Sequence, residues 1–162
     1  MPGVAFLKFA SGITGESKEV QGAIEVESYS FGASNPANIG SGGLSGGTAS
    51  CSDFTFTCEV DTSSGQMLNQ LFTGKPVDTA TFTLVESTGA DKSAQPPYIT
   101  VTFTNCYITG QSFGGGNQGK PSQSISFAYE QIQYAYSSQQ SADGTVSNSA
   151  NAGFNVAQGK TV

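Results

Sequence analysis

Apolar residues recur at every second position through most of the chain, alternating with Ser, Thr, Gln or Asn. This is the period of half-buried strands and not of helices. The spacing predicts strands at Val4–Phe9, Ala23–Phe31, Asp53–Val60, Thr79–Glu86, Tyr98–Ile108 and Ile125–Tyr136, with a last short run at Gly153–Ala157. In the second, Ile24 and Val26 share one face, with Glu25, Glu27, Tyr29 and Phe31 on the other. In the longest, Ile125, Phe127 and Tyr129 fall on odd positions, whereas Ile132, Tyr134 and Tyr136 fall on even ones. Such a change of phase predicts a bulge, or a strand that passes from one packing partner to another.

One segment breaks the two-residue rhythm. Met67, Leu68, Leu71 and Phe72 lie on one face at helical spacing and are expected to pack on the sheet. Ser63 and Gln66 have the spacing of a capping box, and Gly74 with Pro76 ends the helix. Between the second and third strands, Asn35 to Ser50 carries five glycines, at 40, 42, 43, 46 and 47. It reads as a long loop without structure of its own, a kind that is often functional.

Length and composition fit one domain spanning residues 1–162. Only 11% of the residues are charged, so the polarity comes from hydroxyl and amide groups. Charged side chains are those depleted from interface centres, and this balance suits a protein that contacts other protein. All six basic residues are Lys, and there is no His, Trp or Arg; with twelve acids the net charge is -6. No basic face can be assembled to neutralise nucleic-acid phosphates or an anionic membrane. No run approaches the ~20 apolar residues of a membrane span. The start, Met1-Pro2-Gly3-Val4-Ala5-Phe6-Leu7-Lys8-Phe9, lacks the basic lead and apolar core of a secretory signal. Cys51, Cys58 and Cys106 form no paired framework. The last two sit within predicted strands as buried hydrophobes, and Cys51 is expected to be the accessible one.

The motifs that invite catalysis fail on their context. Gly43-Leu44-Ser45-Gly46-Gly47 and Gly110-Gln111-Ser112-Phe113-Gly114 both read G-x-S-x-G, but no histidine exists to take the serine proton. Gly114 to Lys120 reads G-x-x-x-x-G-K, yet Pro121 and an alternating run follow where a phosphate loop needs Ser or Thr and a helix. Neither zinc nor calcium spacing is present, so no metal or cofactor is expected. Glu25 and Glu27 share a strand face without an opposing carboxylate and read as solvated. No enzymatic activity is expected.

The order of segments resembles the haemolysin-coregulated protein (Hcp) family of type VI secretion. The resemblance rests on Phe6-Leu7-Lys8 followed by Gly15-Glu16-Ser17-Lys18-Glu19, on Ile24-Glu25-Val26 running to Tyr29-Ser30-Phe31-Gly32, and on Asp53-Phe54-Thr55-Phe56. Thr73-Gly74-Lys75 after the helix, Phe127-Ala128 leading to Gln131-Ile132-Gln133-Tyr134, and Gly153-Phe154-Asn155-Val156 complete it. Tyr29 and Phe31 stand where the family often has Trp. The resemblance implies a mainly β fold, a compact β-barrel of two antiparallel sheets with one flanking α-helix. It implies a tube subunit: a homohexamer whose rings stack, tipped by a spike protein, driven by a contractile sheath and carrying secreted effectors in the lumen. It would be made in the bacterial cytoplasm and leave without a cleaved leader. On this reading Ser28 and Ser30 face the lumen, and Asn38, Gly40, Gly42, Gly43, Leu44, Gly46 and Gly47 belong to a loop that contacts the next ring. A toxin extension is not expected, since the chain ends at Val162. A different class of reading is a monomeric β-sandwich that binds carbohydrate through Tyr107, Tyr134 and Tyr136.

Overall fold

The computed structural model describes residues 3–40, 42–86, 97–139 and 146–162. In chain order the elements are β1 (Gly3–Phe9), β2 (Ile24–Val26), β3 (Ser28–Ser30), β4 (Ala33–Ser34), β5 (Asn38–Gly40), β6 (Gly43–Ser45), β7 (Ser50–Cys51) and β8 (Phe54–Glu59). The helix α1 (Thr62–Thr73) follows, then β9 (Val77–Glu86), β10 (Ile99–Gly114), β11 (Ser122–Gln139), β12 (Val146–Asn155) and β13 (Lys160–Thr161). The fold is mainly β, with antiparallel sheets and one helix, as the resemblance implies.

The long β10–β11 hairpin belongs to both sheets. Its open end joins the order β13-β12-β11-β10-β9-β1-β2. Its turn end continues through β11 to β8 and β3. β11 pairs with β8 over Ser122–Phe127 and with β12 over Gln131–Gln139. The phase change read from the sequence is thus a change of partner. It has a counterpart on β10, where Val101 and Phe103 are buried, then Cys106 and Ile108. Between them Asn105, opposite Glu130, adopts a left-handed φ of 52°. One residue out of β geometry resets which side chains face inward.

A second reset occurs at Glu27. The sequence predicts one strand over 23–31, but β2 pairs with β1, β3 pairs with β8, and the Glu27 N–H donates to the Thr57 carbonyl at 2.8 Å. Before Glu27 the even residues Ile24 and Val26 are buried; after it the rings of the odd residues lean on the core without being enclosed, Tyr29 being 41% exposed and Phe31 half-buried. Tyr29 packs on Phe82 with centroids 4.6 Å apart, and Phe31 on Phe54 at 5.7 Å. The sequence reading that set both aromatics on the face of Glu25 is corrected here, since both rings pack on core phenylalanines. The circuit of strands changes partner at this point, so barrel describes the outline loosely and no single ladder runs round it.

The core fills the space between the sheets with aromatics. Phe54 of β8 lies 5.2 Å from Phe82, 5.0 Å from Phe103 and 5.2 Å from Phe127, and all four are fully buried.

The helix begins one step earlier than its sequence signal. Asp61 is the N-cap, its side chain accepting from the Ser63 N–H at 2.9 Å, while Ser64 Oγ accepts from the Asp61 N–H at 3.0 Å. The capping box is therefore Asp61 with Ser64, and not Ser63 with Gln66. Gly74 closes the helix at φ 64°, as predicted. Met67 is fully buried and Leu71 packs against the core, but Phe72 is 74% exposed. The expected four-residue stripe loses its last member because the sheet beneath supports a narrower contact.

The segment Asn35–Ser50 also departs from expectation. It holds its own ladder: Ala33 and Ser34 pair with Cys51 and Ser50, and further out Asn38, Ile39 and Gly40 pair with Ser45, Leu44 and Gly43. Gly43 has φ 109°, which a side chain would resist, and a Cβ on Gly47 would sit 2.7 Å from Pro36 Cγ. Two of the five glycines that read as a structureless loop, Gly43 and Gly47, are thus held by the geometry of a two-tier hairpin.

Candidate functional site

Because Tyr29 turns inward, Ser28 and Ser30 turn outward, and both are exposed. Strand register then extends them into a surface. Ser28 lies opposite Thr57, Thr57 opposite Ser124, and Ser124 opposite Ser112. In the next row Ser30 lies opposite Thr55, Thr55 opposite Ser126, and Ser126 opposite Gly110. Every position in these two rows is a hydroxyl or a glycine. The Ser28 and Thr57 hydroxyls are hydrogen-bonded at 2.5 Å. At the margin, Thr109 Oγ1 donates to Asp53 Oδ2 at 2.8 Å and lies 3.1 Å from Ser126 Oγ. Carboxylates occur only at the edges, with Glu59 opposite Ser122 and Glu27 beside Ser28.

Sequence reading found two of these eight positions. The others, on β8, β10 and β11, are visible along the chain only as the polar phase of Thr55-Phe56-Thr57 and Ser122-Gln123-Ser124-Ile125-Ser126. Nothing local says that these strands are neighbours. The two rows so formed are uncharged, and their hydroxyls both donate and accept. They suit weak, adaptable contact with protein surface more than recognition of a single small ligand.

The other predicted segment, the hairpin arm, carries Gly40, Gly42, Gly43, Gly46 and Gly47, with Asn38 and Leu44 in its ladder. Ile39, opposite Leu44, is 81% exposed.

The catalytic motifs lie where the sequence placed them. Gly110–Gly114 runs along β10, paired with Ser122–Ser126, so its serine is on no strand-to-helix turn. Gly114 to Lys120 connects β10 to β11, and a strand follows it. Lys120 Nζ reaches Glu59 at 3.3 Å. Among the described residues no group of three or more metal-ligating side chains converges. Ser17 Oγ donates to Glu25 at 3.1 Å. Cys58 and Cys106 are buried and free, and burial pushes both thiols up to about 12. Cys51 is half-buried. Burial also raises the Tyr129 phenol, with Cys51 and Asp53 nearby, and its O–H donates to the Ser52 carbonyl at 2.8 Å.

The three tyrosines of the carbohydrate reading do not converge. Tyr134 packs against the core, while Tyr107 and Tyr136 are 46% and 38% exposed. Tyr136 pairs with Ile99, so it stands eight positions along β10 from Tyr107, roughly 26 Å at strand rise.

Comparison with known proteins gives the family. The sequence pattern of the type VI secretion system effector, Hcp, matches residues 6–136. No curated protein matches by sequence. Among solved structures, a type six secretion system protein is similar with a TM-score of 0.85 at 20% identity, covering 99% of this chain and 100% of its own. Hcp1 from Salmonella typhimurium gives 0.76 at 22% identity, with 100% of both chains covered. A type VI secretion system effector from Yersinia pestis gives 0.71 at 25% identity, covering 94% of this chain and 99% of its own. With the sequence pattern matched from β1 into β11 and the fold reproduced over nearly all its length, the chain belongs to the Hcp family of type VI secretion proteins.

Proposed function

We propose that the chain is a single-domain subunit of a type VI inner tube, acting as structure and carrier and not as an enzyme. Six copies form a ring, rings stack, and the Ser/Thr face of β3, β8, β11 and β10 lines the lumen where effectors ride. The hairpin arm with Ile39 reaches the next ring, and the spike protein and contractile sheath are the remaining partners. The subunit is made in the bacterial cytoplasm and expelled from there with the tube. Among the described residues, no helix is long and apolar enough to cross a membrane.

The observation that carries this reading is the uncharged hydroxyl face. A wall that must pass and hold folded proteins of differing charge cannot itself carry a strong field or deep relief. A second feature agrees with it. Among the described residues β13 pairs with β12 only at Phe154 and Asn155. The outer edge of β12 over residues 146–152 is left for another chain, and closing such edges on neighbours is what a ring does.

The test is the size and shape of the purified protein, then the position of the face. Native mass spectrometry is expected to give a hexamer, and negative-stain images a ring with a central hole. In a Cys51→Ser background, Ser124→Cys labelled with a maleimide gold cluster is expected to place gold inside the hole. Gold on the outer rim would overturn the lumen assignment while leaving the ring intact. Ser30→Gln is expected to keep hexamers and lose co-purifying effector. A monomer at micromolar concentration would overturn the reading as a whole.

A further inference from the structure

Further along the outward side of β11 from Ser126, past Ala128, Asn105 and Glu130 stand opposite each other where the β10–β11 hairpin resets its phase. Asn105 is the one residue other than glycine with positive φ among the described residues. Its Nδ2 donates to Glu130 Oε2 at 2.5 Å. Asparagine tolerates this backbone region better than most residues do. The Glu130 main chain is fixed as well, since its carbonyl accepts from the Val156 N–H at 2.7 Å. The carboxylate is thereby held with one oxygen engaged, and among the described residues no lysine forms an ion pair with it.

This pair lies in a depression of about 480 Å³ lined also by Pro76, Tyr107, Ala128 and Val156. Tyr107 and Val156 are two of the larger apolar side chains that the fold leaves exposed, at 46% and 38%. An oriented carboxylate, an aromatic ring and an aliphatic wall in one hollow match a cation on an apolar stem. The stem covers the wall, the ring face attracts the charge, and the carboxylate receives its N–H groups.

We propose that this hollow is a socket for an arginine side chain of a partner protein. Arginine fits better than lysine because its planar guanidinium stacks on a ring and still presents N–H groups edge-on to a carboxylate. Since the chain itself contains no arginine, the partner is a protein of different sequence and not a second copy. The inference does not rest on the tube reading, and its test does not depend on ring formation.

The measurement is methyl NMR on the full-length protein, following the Ala128 and Val156 methyl groups while adding arginine capped as N-acetyl amide. Capped lysine and capped citrulline, the uncharged shape analogue of arginine, serve as comparisons. Saturable shifts are expected with arginine, binding about tenfold or more tighter than citrulline, the margin of a charge-assisted over a neutral pair. Glu130→Gln keeps the side-chain shape and can still accept from Asn105; it is expected to erase the arginine advantage with methyl spectra elsewhere unchanged. Tyr107→Ala is expected to weaken arginine and citrulline alike. Equal binding of arginine and citrulline, or no saturable shift, would overturn the socket. Tighter binding of lysine would overturn the assignment to a foreign arginine and turn attention to a second copy.

Discussion

Cys58 and Cys106 show how a residue's chemistry is decided by its neighbours. Each is fully enclosed, Cys58 touching Gln123 Nε2 at 3.3 Å. Gln123 in turn is 2% exposed and donates to Ser64 Oγ at 2.7 Å, tying β11 to the helix N-terminus. The thiol is neutral when protonated, and burial disfavours the thiolate. Native-state labelling with an aromatic disulfide reagent is therefore expected to modify Cys51 quickly and the other two only on unfolding. Fast reaction of all three would contradict the packing. A linked effect follows in alkali. The folded pKa of about 12 exceeds the ordinary thiol value of 9.0, so the native state keeps a proton that the unfolded chain releases. Stability from this source is full below the unfolded pKa and is lost as pH rises through the folded one. The urea midpoint is expected to fall between about pH 8 and about pH 10.5, and to fall less in Cys106→Ala. An identical fall in that variant would assign the loss to other groups. Burial of both thiols was legible from their places in alternating runs. The Asp61 cap was not, because Ser63 with Gln66 offers a capping-box spacing two residues along.

Among the elements, strands were legible wherever burial is one-sided, since the period of two then survives in the residue types. β8 was of this kind, whereas β1 and β9 also bury Phe6 and Val85 on their other face; the change of phase in β11 was legible too. The corrections fall where an element serves two neighbours. In Ala23–Phe31 the apolar residues pass from even positions, Ile24 and Val26, to odd ones, Tyr29 and Phe31, so the letters carry the break at Glu27-Ser28, but they cannot show that β2 and β3 have different partners. The hydroxyl face escaped sequence reading for the same reason: Ser28 joins Thr57, Ser124 and Ser112 only through pairings far apart in the chain. The helix gives the sharpest contrast. Met67 and Phe72 carry the same periodic signal, but one is enclosed and the other is 74% exposed. Met67→Ala is expected to cost about 2–5 kcal/mol, the range for emptying a filled core site. Phe72→Ala is expected to stay within about 0.5 kcal/mol, as exposed substitutions do. Chemical denaturation of the two variants checks both values. A large loss at Phe72 would mean that the ring is covered in solution, most simply by another copy.

At the scale of the molecule, charge is unevenly spread, and this sets how copies can meet. Glu16, Glu19, Glu25, Glu27, Glu59 and Asp61 line a single depression, with only Lys18 and Lys120 among them. Half of the twelve acids thus gather on one region of a chain whose net charge is -6. The hydroxyl face and the outer edge of β12 carry little charge, so contact there has no ion pairs for salt to weaken. Assembly of like copies then works against the summed repulsion of their acidic regions. Screening relieves that repulsion, as the Debye length falls from about 10 Å at 0.1 M to about 3 Å at 1 M salt. The proposed ring is therefore expected to tighten with salt. Sedimentation velocity over a dilution series, at about 0.05 M and about 0.5 M sodium chloride, should show the dissociation midpoint moving to lower protein concentration. The opposite shift would mean that lysines such as Lys8, Lys75 or Lys160 pair with acids across the contact. Glu25→Gln combined with Glu27→Gln separates the two cases. Removing two carboxylates from the depression is expected to strengthen low-salt assembly where repulsion dominates, and to weaken it where those carboxylates are partners.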